Sequence, residues 1–283
     1  MAIRSLLQQC TPEIVKVALR SSRGYRRCFG RRPNLFSPQT FTEWVQHRKV
    51  FDRDPRLPLR ADKVLVKDFV ASKIGAEHVI PTLWHGTQLP PREQRPWPRP
   101  FVLKANHASG WNHFVRSECE HDWDRIEQSA DEWMASTYGV YDGEWLYSRI
   151  APQLLVEPFI GRAGVLPIDY KFWVFRGQVR CVQVDFARER EHEHRRVMLD
   201  ADWRQLSVRH GYPLAECPVD RPASLERMKA FAELLAEDFS FARVDFYEIA
   251  GRPLFGEMTF YPASGYKCFE PASFDRTCRD WLG

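Results

Sequence analysis

Most of the features that identify a function class at once are missing from this chain. Its seven cysteines (Cys10, Cys28, Cys119, Cys181, Cys217, Cys268, Cys278) form no CxxC pair and no ligand-spaced cluster with histidine. That scatter argues against a disulfide framework and fits reduced thiols in the cytosol. No run approaches the roughly 18 apolar residues of a membrane span. The N-terminus has no apolar signal core either, so a soluble cytoplasmic protein is expected. Internal repeats and low-complexity tracts are absent, and so is the phosphate-loop signature G-x-x-x-x-G-K-[ST]. Charge of one sign is scarce: the net formal charge is +4 over 283 residues, which does not announce a nucleic-acid partner.

What is present supports a real core. The chain is 44% hydrophobic and 13% aromatic, long enough for one large domain or two or three smaller lobes. The basic excess is local. Arg4, Lys16, Arg20, Arg23, Arg26, Arg27, Arg31 and Arg32 face a single acid, Glu13, in the first 32 residues. This stretch reads as a dock for an acidic polymer or an anionic membrane surface at the inner face of the membrane, or, more plainly, as a solvated basic helix end packed on the body.

Periodicity places the elements. Residues 3–20 have helical spacing, with Pro12 starting a second helix, and SSRGYRRCFGRRPN (21–34) reads as turn-rich. FTEWVQHRKV (41–50) predicts an amphipathic helix. Another is expected from Lys63 to Ile74, closed by Gly75, and then a short strand from His78 to Trp84. LPPREQRPWPRP (89–100) is a loop or connector. One or two helices are expected within residues 120–150. IDYKFWVFRGQVRCVQVDFAR forms a hairpin turning at Arg176-Gly177. REREHEHRR (188–196) reads as a solvated charged loop, with His192 and His194 as a metal pair in the alternative. Ser224 to Phe239 is an amphipathic helix with a core stripe.

Two stretches carry chemistry. In FARVDFYEIAGRPLFGEMTFYP (241–262) two strands flank a turn at Ala250-Gly251-Arg252. Closure on Gly251 sets Asp245 opposite Glu257 and Arg243 opposite Thr259. Alternation puts Phe255 on the same face as Glu257 and Thr259. Hard oxygen donors of this kind suit Mg²⁺; an Arg–Asp cross-strand pair on a wet sheet face is the plainer reading. In FVLKANHASGWN (101–112) a buried-type strand ends in Lys104 and runs into a polar turn. Strand, lysine, turn and strand resemble a phosphate-covering loop, with an ordinary hairpin loop as the alternative. His107 and His113 lack metal spacing. LLVEPFI (154–160) is a strand running into Pro158, suited to a hinge whose backbone could bond an adenine; a glutamate at an ordinary strand end is the plainer reading.

In order, the segments DK (62–63), FVLKANHASGWN, LLVEPFI, DYKFWVF (169–175), RVDFY (243–247) and FGEMTFYP (255–262) resemble the TupA-like ATP-grasp family, named for teichuronopeptide biosynthesis. The resemblance spans about residues 35–275. It implies an α+β fold in which two lobes clasp ATP: a helical basic region over 1–58, one lobe over 59–156 and the other over 157–283. It also implies roles. Lys104 contacts ATP phosphates, and the loop with His107, Ser109, Gly110, Trp111 and Asn112 closes over them. Glu157, Pro158, Phe159 and Ile160 hold adenine. Lys171 and Lys63 add phosphate contacts, Asp245 and Glu257 ligate Mg²⁺, and Arg243 with Lys171 steadies the transferred phosphoryl group. Two departures stand out. Thr259 occupies a place where many ATP-grasp enzymes have asparagine as the last metal ligand. The usual ribose-binding acid is missing from GRAGVLP (161–167), with Asp169 as its stand-in.

The implied activity is an ATP-dependent carboxylate–amine ligase working through an acyl-phosphate. Its carboxylate acceptor and amine donor would be those of an acidic surface polymer, such as a uronic acid or acidic peptide and an amino acid. A kinase of a sugar or small molecule, and a non-catalytic ATP-binding partner of a glycan-assembly complex, are the alternatives.

Overall fold

Strand alternation dictates most of the architecture. DYKFWVF and FARVDFY each put apolar side chains on one face and a mixture of charge and aromatic rings on the other. The protein was analysed as a computed structural model that describes residues 12–116, 122–161, 165–186, 195–214 and 218–283. Helices come first: α1 (Glu13–Phe29), α2 (Phe41–Phe51), α3 (Arg56–Ala61) and α4 (Val66–Ile74). Strands β1 (Trp84–Gly86), β2 (Phe101–Ala105), β3 (Asn112–Val115) and β4 (Leu154–Pro158) form an antiparallel sheet in the order β1-β4-β2-β3. Helix α5 (Trp123–Ala135) lies between β3 and β4 in sequence and gives Ile126 and Ala130 to the core of that sheet.

The larger sheet follows. It takes β5 (Asp169–Phe175), β6 (Gln178–Phe186) and β7 (Arg195–Asp200), then skips the short β8 (Arg209–His210) and α6 (Leu225–Ala236). It is completed by β9 (Phe241–Ile249) and β10 (Arg252–Thr259), in the order β10-β9-β5-β6-β7. The chain ends with β11 (Phe269–Glu270), paired to β8, and α7 (Ser273–Asp280).

Helix α6 packs on β9, β5 and β6, burying Met228, Ala232 and Leu235. The opposite face changes character along the strands. At one end Trp173, Phe175 and Phe241 lie under Phe41 of α2, with ring centroids 4.8–5.5 Å away. At the other end the same face carries Asp169, Lys171, Arg243 and Asp245. Helix α2 is fixed over the aromatic end by Asp275 of α7, whose carboxylate accepts the Thr42 N–H at 2.9 Å and the Thr42 hydroxyl at 2.6 Å. Helix α4 adds Val66, Val70 and Ile74 to this same core.

Several local expectations change. Helix α1 continues through 21–29, because Gly24 is required by packing and not by a turn: a Cβ there would meet the Tyr266 hydroxyl at 2.4 Å. The helix expected from Lys63 begins at Val66, since the Asp62 carboxylate accepts the N–H groups of Val64 and Leu65 and makes a turn first. In place of a strand over His78–Trp84 there is a 3₁₀ turn, Ala76–His78, and an extended stretch containing Pro81, with regular pairing only from Trp84. The charged run ends sooner than expected: Arg195 opens β7 and Arg196 is buried, while 188–194, with His192 and His194, lie outside the described residues, as does the helix expected before Pro12. No helix among the described residues is long and apolar enough to cross a membrane.

The hairpin β9–β10 keeps the expected register, Asp245 opposite Glu257 and Arg243 opposite Thr259. A bulge at Gly256 breaks the alternation, however. Phe255 therefore faces Phe246 in the core and does not share a face with Glu257. A Cβ at Gly256 would lie 3.1 Å from the Asp245 carbonyl oxygen. Gly256→Val should cost about 1–3 kcal/mol of stability in a denaturant titration, the usual penalty of overpacking. An unchanged midpoint would show that the bulge does not depend on glycine.

Candidate active site

The two sheets face each other across one cavity of about 460 Å³. From the first sheet come Lys104 on β2 and Glu157 on β4, side by side because Lys104 and Glu157 lie on adjacent antiparallel strands. From the second come Asp169, Lys171, Arg243, Asp245 and Glu257. The turn after β2 contributes Ser109, Gly110, Trp111 and Asn112, and the chain after β4 contributes Pro158, Phe159 and Ile160. Val102, Phe114 and Leu166 make part of the wall apolar.

Buried charge must be paired, and among the described residues each buried charge of the cavity is. Glu157 is held between Lys104 and Lys67, each at 2.5 Å. Lys171 donates to Asp169 and, at 2.6 Å, to Asp245. Arg243 donates to both oxygens of Asp245 at 2.7 and 2.6 Å, and through Nη2 to Glu257 at 3.0 Å and to the Thr259 hydroxyl at 3.0 Å. Lys63 donates to the Ala108 carbonyl at 2.5 Å and stands 3.9 Å from Glu257, so one lysine ties the turn after β2 to the β9–β10 hairpin. The base of that turn is fixed by Asn106, which bonds Asp62, Ala151 and the backbone of Gln153.

These partners shift the ionisation of the site. Burial opposes the Glu257 carboxylate, yet Lys63, Arg243 and Lys171 outweigh it and hold the pKa at about 2. Burial also opposes Glu157, and Lys104 with Lys67 pulls it below the ordinary range. Asp245 goes the other way: burial, helped by Asp169 and Glu257, raises it against Arg243 and Lys171. Burial lowers both Lys63 and Lys67, whereas Asp169 and Asp245 raise Lys171 in spite of its burial.

Two expected site residues do not line the cavity. His107 is turned inward, with Nε2 3.2 Å from the Trp133 carbonyl and its ring edge-on to Trp111, because the aromatic cluster under the turn buries it. Thr259 donates to Glu257 at 3.1 Å and accepts from Arg243, so its hydroxyl is spent orienting those two side chains. Asp169 lines the cavity on the Lys171 side.

The family model described as TupA-like ATPgrasp matches residues 43–283. The chain belongs to the TupA-like ATP-grasp family. Its α+β architecture is accordingly that of an ATP-grasp protein. Solved structures similar to it include the D-alanine–D-alanine ligases of Bacillus anthracis (14% identity, 79% of this chain and 66% of that one, TM-score 0.46) and Helicobacter pylori (20%, 79% and 60%, 0.45). The L-amino acid ligase of Bacillus licheniformis is a more distant one (14%, 79% and 55%, 0.39). The chain thus spans less than two thirds of the length of these structures, and the family assignment rests on the family model alone. No curated protein matches the sequence.

Sequence reasoning missed several residues in and behind this cavity. Lys67 does not line the cavity but stands behind it, bonded to the Ile80 carbonyl and the Thr82 hydroxyl and paired with Glu157. Gln183, Asp185, Arg196, Tyr212 and Lys267 do line the cavity, and nothing in their spacing announces it.

A carboxylate with a folded pKa below its unfolded value binds fewer protons in the fold. Its stabilisation is complete above the ordinary 4.5 and is lost as pH falls toward about 2. Glu257→Gln should therefore lower Tm at neutral pH, and its curve should converge with that of the parent protein as acid protonates Glu257. Parallel curves down to that pH would contradict the pairing.

Proposed function

We propose that the protein is an ATP- and Mg²⁺-dependent ligase joining a carboxylate to an amine. The observation that carries this reading is one cavity with lysines on both facing sheets, Lys104 and Lys171, beside the opposed carboxylates of Asp245 and Glu257. ATP lies between the sheets, its adenine against Val102, Phe114 and the backbone of Pro158 to Ile160. Because the Phe159 N–H is already bonded to the Pro100 carbonyl at 3.0 Å, the neighbouring carbonyl and N–H groups are those left for the base. Lys104 and Lys171 hold the phosphates from opposite sides, with Ser109 to Asn112 covering them.

The residues fit the metal. Among the described residues no three His, Cys, Asp or Glu side chains gather as a metal cluster. Mg²⁺ does not need one, since it usually takes one or two carboxylates together with substrate phosphates and water. Asp245 and Glu257 would hold it. When bound, it neutralises charge on the phosphates as the γ-phosphoryl group transfers.

The chain's own groups then act as follows. Polyphosphate competes for the lysines and for Arg243, which loosens the grip of those cations on Asp245 and Glu257. Arg243, fixed by Thr259 and Asp245, stands where it can balance the transferred phosphoryl group. A substrate carboxylate oxygen attacks the γ-phosphorus, the bond to the β–γ bridging oxygen breaks, and ADP leaves. The amine nitrogen attacks the resulting acyl-phosphate, the carbon–oxygen bond to phosphate breaks, and the nitrogen gives up a proton to form the amide. The covering turn, fastened by Lys63 and Asn106, keeps water from the acyl-phosphate. By the family's name, the substrates belong to an acidic surface polymer.

The test is isotopic. With a carboxylate labelled by oxygen-18 and an amine, each turnover should give ADP, amide and inorganic phosphate carrying one labelled oxygen. Unlabelled phosphate, or a stable phosphorylated product, would replace the ligase reading with hydrolysis or a kinase. ATP binding without turnover on any acceptor would point to a non-catalytic partner.

A further inference from the structure

The cavity does not stop at Lys171. It continues across the next two strands, because Lys171 lies opposite Gln183 on β6, Asp169 opposite Asp185, and Asp185 opposite Arg196 on β7. The ligase reading gives these groups no task. Arg196 is rigidly held: it donates to both Asp185 oxygens at 2.6 and 3.1 Å and to the His210 carbonyl at 2.8 Å, with its guanidinium 4.6 Å from the centre of the Tyr212 ring. Its charge is matched by Asp185, so it works as a support.

Lys267 differs from every other cation lining the cavity. It is exposed, its ammonium lies 5.6 Å from the centre of the Tyr212 ring, and it has no ion pair among the described residues. Its direction is nevertheless fixed. The stem runs over Gly211, where a Cβ would come within 2.9 Å of Lys267 Cδ. The field there is positive as well. Burial and the cations Arg196, Arg243 and Lys267 hold His210 neutral, with a pKa of about 3, against the single carboxylate of Asp185.

The backbone joining this lysine to the β9–β10 hairpin is strained. Ala263 and Ser264 take φ of 46° and 57°, left-handed values that non-glycine residues rarely adopt. Buried Lys49 holds the turn in place, donating to the Ser264 carbonyl at 2.7 Å and to its hydroxyl at 2.6 Å. Ala263 is thereby set into the cavity wall between Glu257 and Lys267. Strain of this kind, held by neighbouring structure, is characteristic of ligand clamps and active sites.

We infer that this flank of the cavity is the acceptor subsite, where Lys267, supported through Tyr212 by Arg196, binds an anionic, carboxylate-bearing substrate. The inference rests on the ligase reading above and deepens it. A lysine suits the purpose, because its stem can be held while the compact ammonium charge at its tip accepts carboxylates in several orientations, whereas a fork-like arginine would demand one geometry.

Thermal shift on the intact protein loaded with MgADP tests this. The probes are acetate, D-glucuronate and L-glutamate, with D-glucose as a neutral control. At least one carboxylate should raise Tm by about 2 °C or more when it exceeds its Kd several-fold, and glucose should not. Lys267→Ala should lose that rise while keeping the shift given by MgADP, and Lys267→Arg should retain part of it. The subsite is overturned if no carboxylate shifts the parent protein at about 100 mM, if Lys267→Ala shifts as far, or if that variant also loses the MgADP shift. No shift by MgADP in the parent protein would instead overturn the ATP-grasp site on which the subsite depends.

Discussion

Paired charge inside a sheet is the constraint on which the rest of this molecule depends. Across the five strands of the larger sheet, Glu257, Asp245, Lys171 and Gln183 occupy facing positions, and Arg243, Asp169, Asp185 and Arg196 complete the row beside them. Asp169, Lys171, Asp185, Arg196 and Asp245 are all buried. An isolated buried charge is costly, so each must find an opposite charge within one strand spacing. A register slip of one residue would turn this row into the α6 core and leave every member unpaired. The aromatic end of the same face, wedged under Phe41, and the bulge at Gly256 hold the register that the charges need.

The same pairing explains how a site rich in cations keeps its shape before a substrate arrives. Lys63, Lys104, Lys171, Arg196, Arg243 and Lys267 face Glu157, Asp169, Asp185, Asp245 and Glu257, so the cavity is near neutrality with a small positive excess. On the proposed function, a polyphosphate with a divalent metal would exchange one set of ion pairs for another, with the lysines holding phosphate and the carboxylates the metal. Lys63 links this exchange to the covering turn, since it touches both Ala108 and Glu257.

Where the sequence was readable, local rules decided the outcome. The β9–β10 hairpin could be placed to within about one residue because loop length sets the register, and the bulge at Gly256, which alternation does not show, is what brings Asp245 opposite Glu257. Lys104 and Glu157 stand out in the sequence because each is the charged residue next to the end of a short apolar strand, and both line the cavity. Tertiary context decided the rest. Gly24 looks like a turn residue in a basic segment, yet it serves the close approach of Tyr266. Phe255 moved to the core because a single bulge inverts all positions before it. Arg196 stood at the end of a charged run that reads as solvent-exposed, and only its partner on β6, eleven residues earlier, shows that it is buried. Tyr212 and Lys267 come from separate loops that meet only in the folded chain. His107 belongs to the right turn but faces the wrong way, a distinction that composition cannot make.

Calorimetric titration with ATP, with and without Mg²⁺, tests the central claim most directly. It compares the intact protein, Lys104→Ala and the Asp245→Asn/Glu257→Gln double variant. The intact protein should bind MgATP, Lys104→Ala should bind about tenfold more weakly or worse through loss of a charge-assisted bond, and the double variant should lose its dependence on Mg²⁺. If the intact protein and both variants all fail to bind nucleotide under every metal condition, the charged row is a structural ion-pair network and the enzymatic account is wrong.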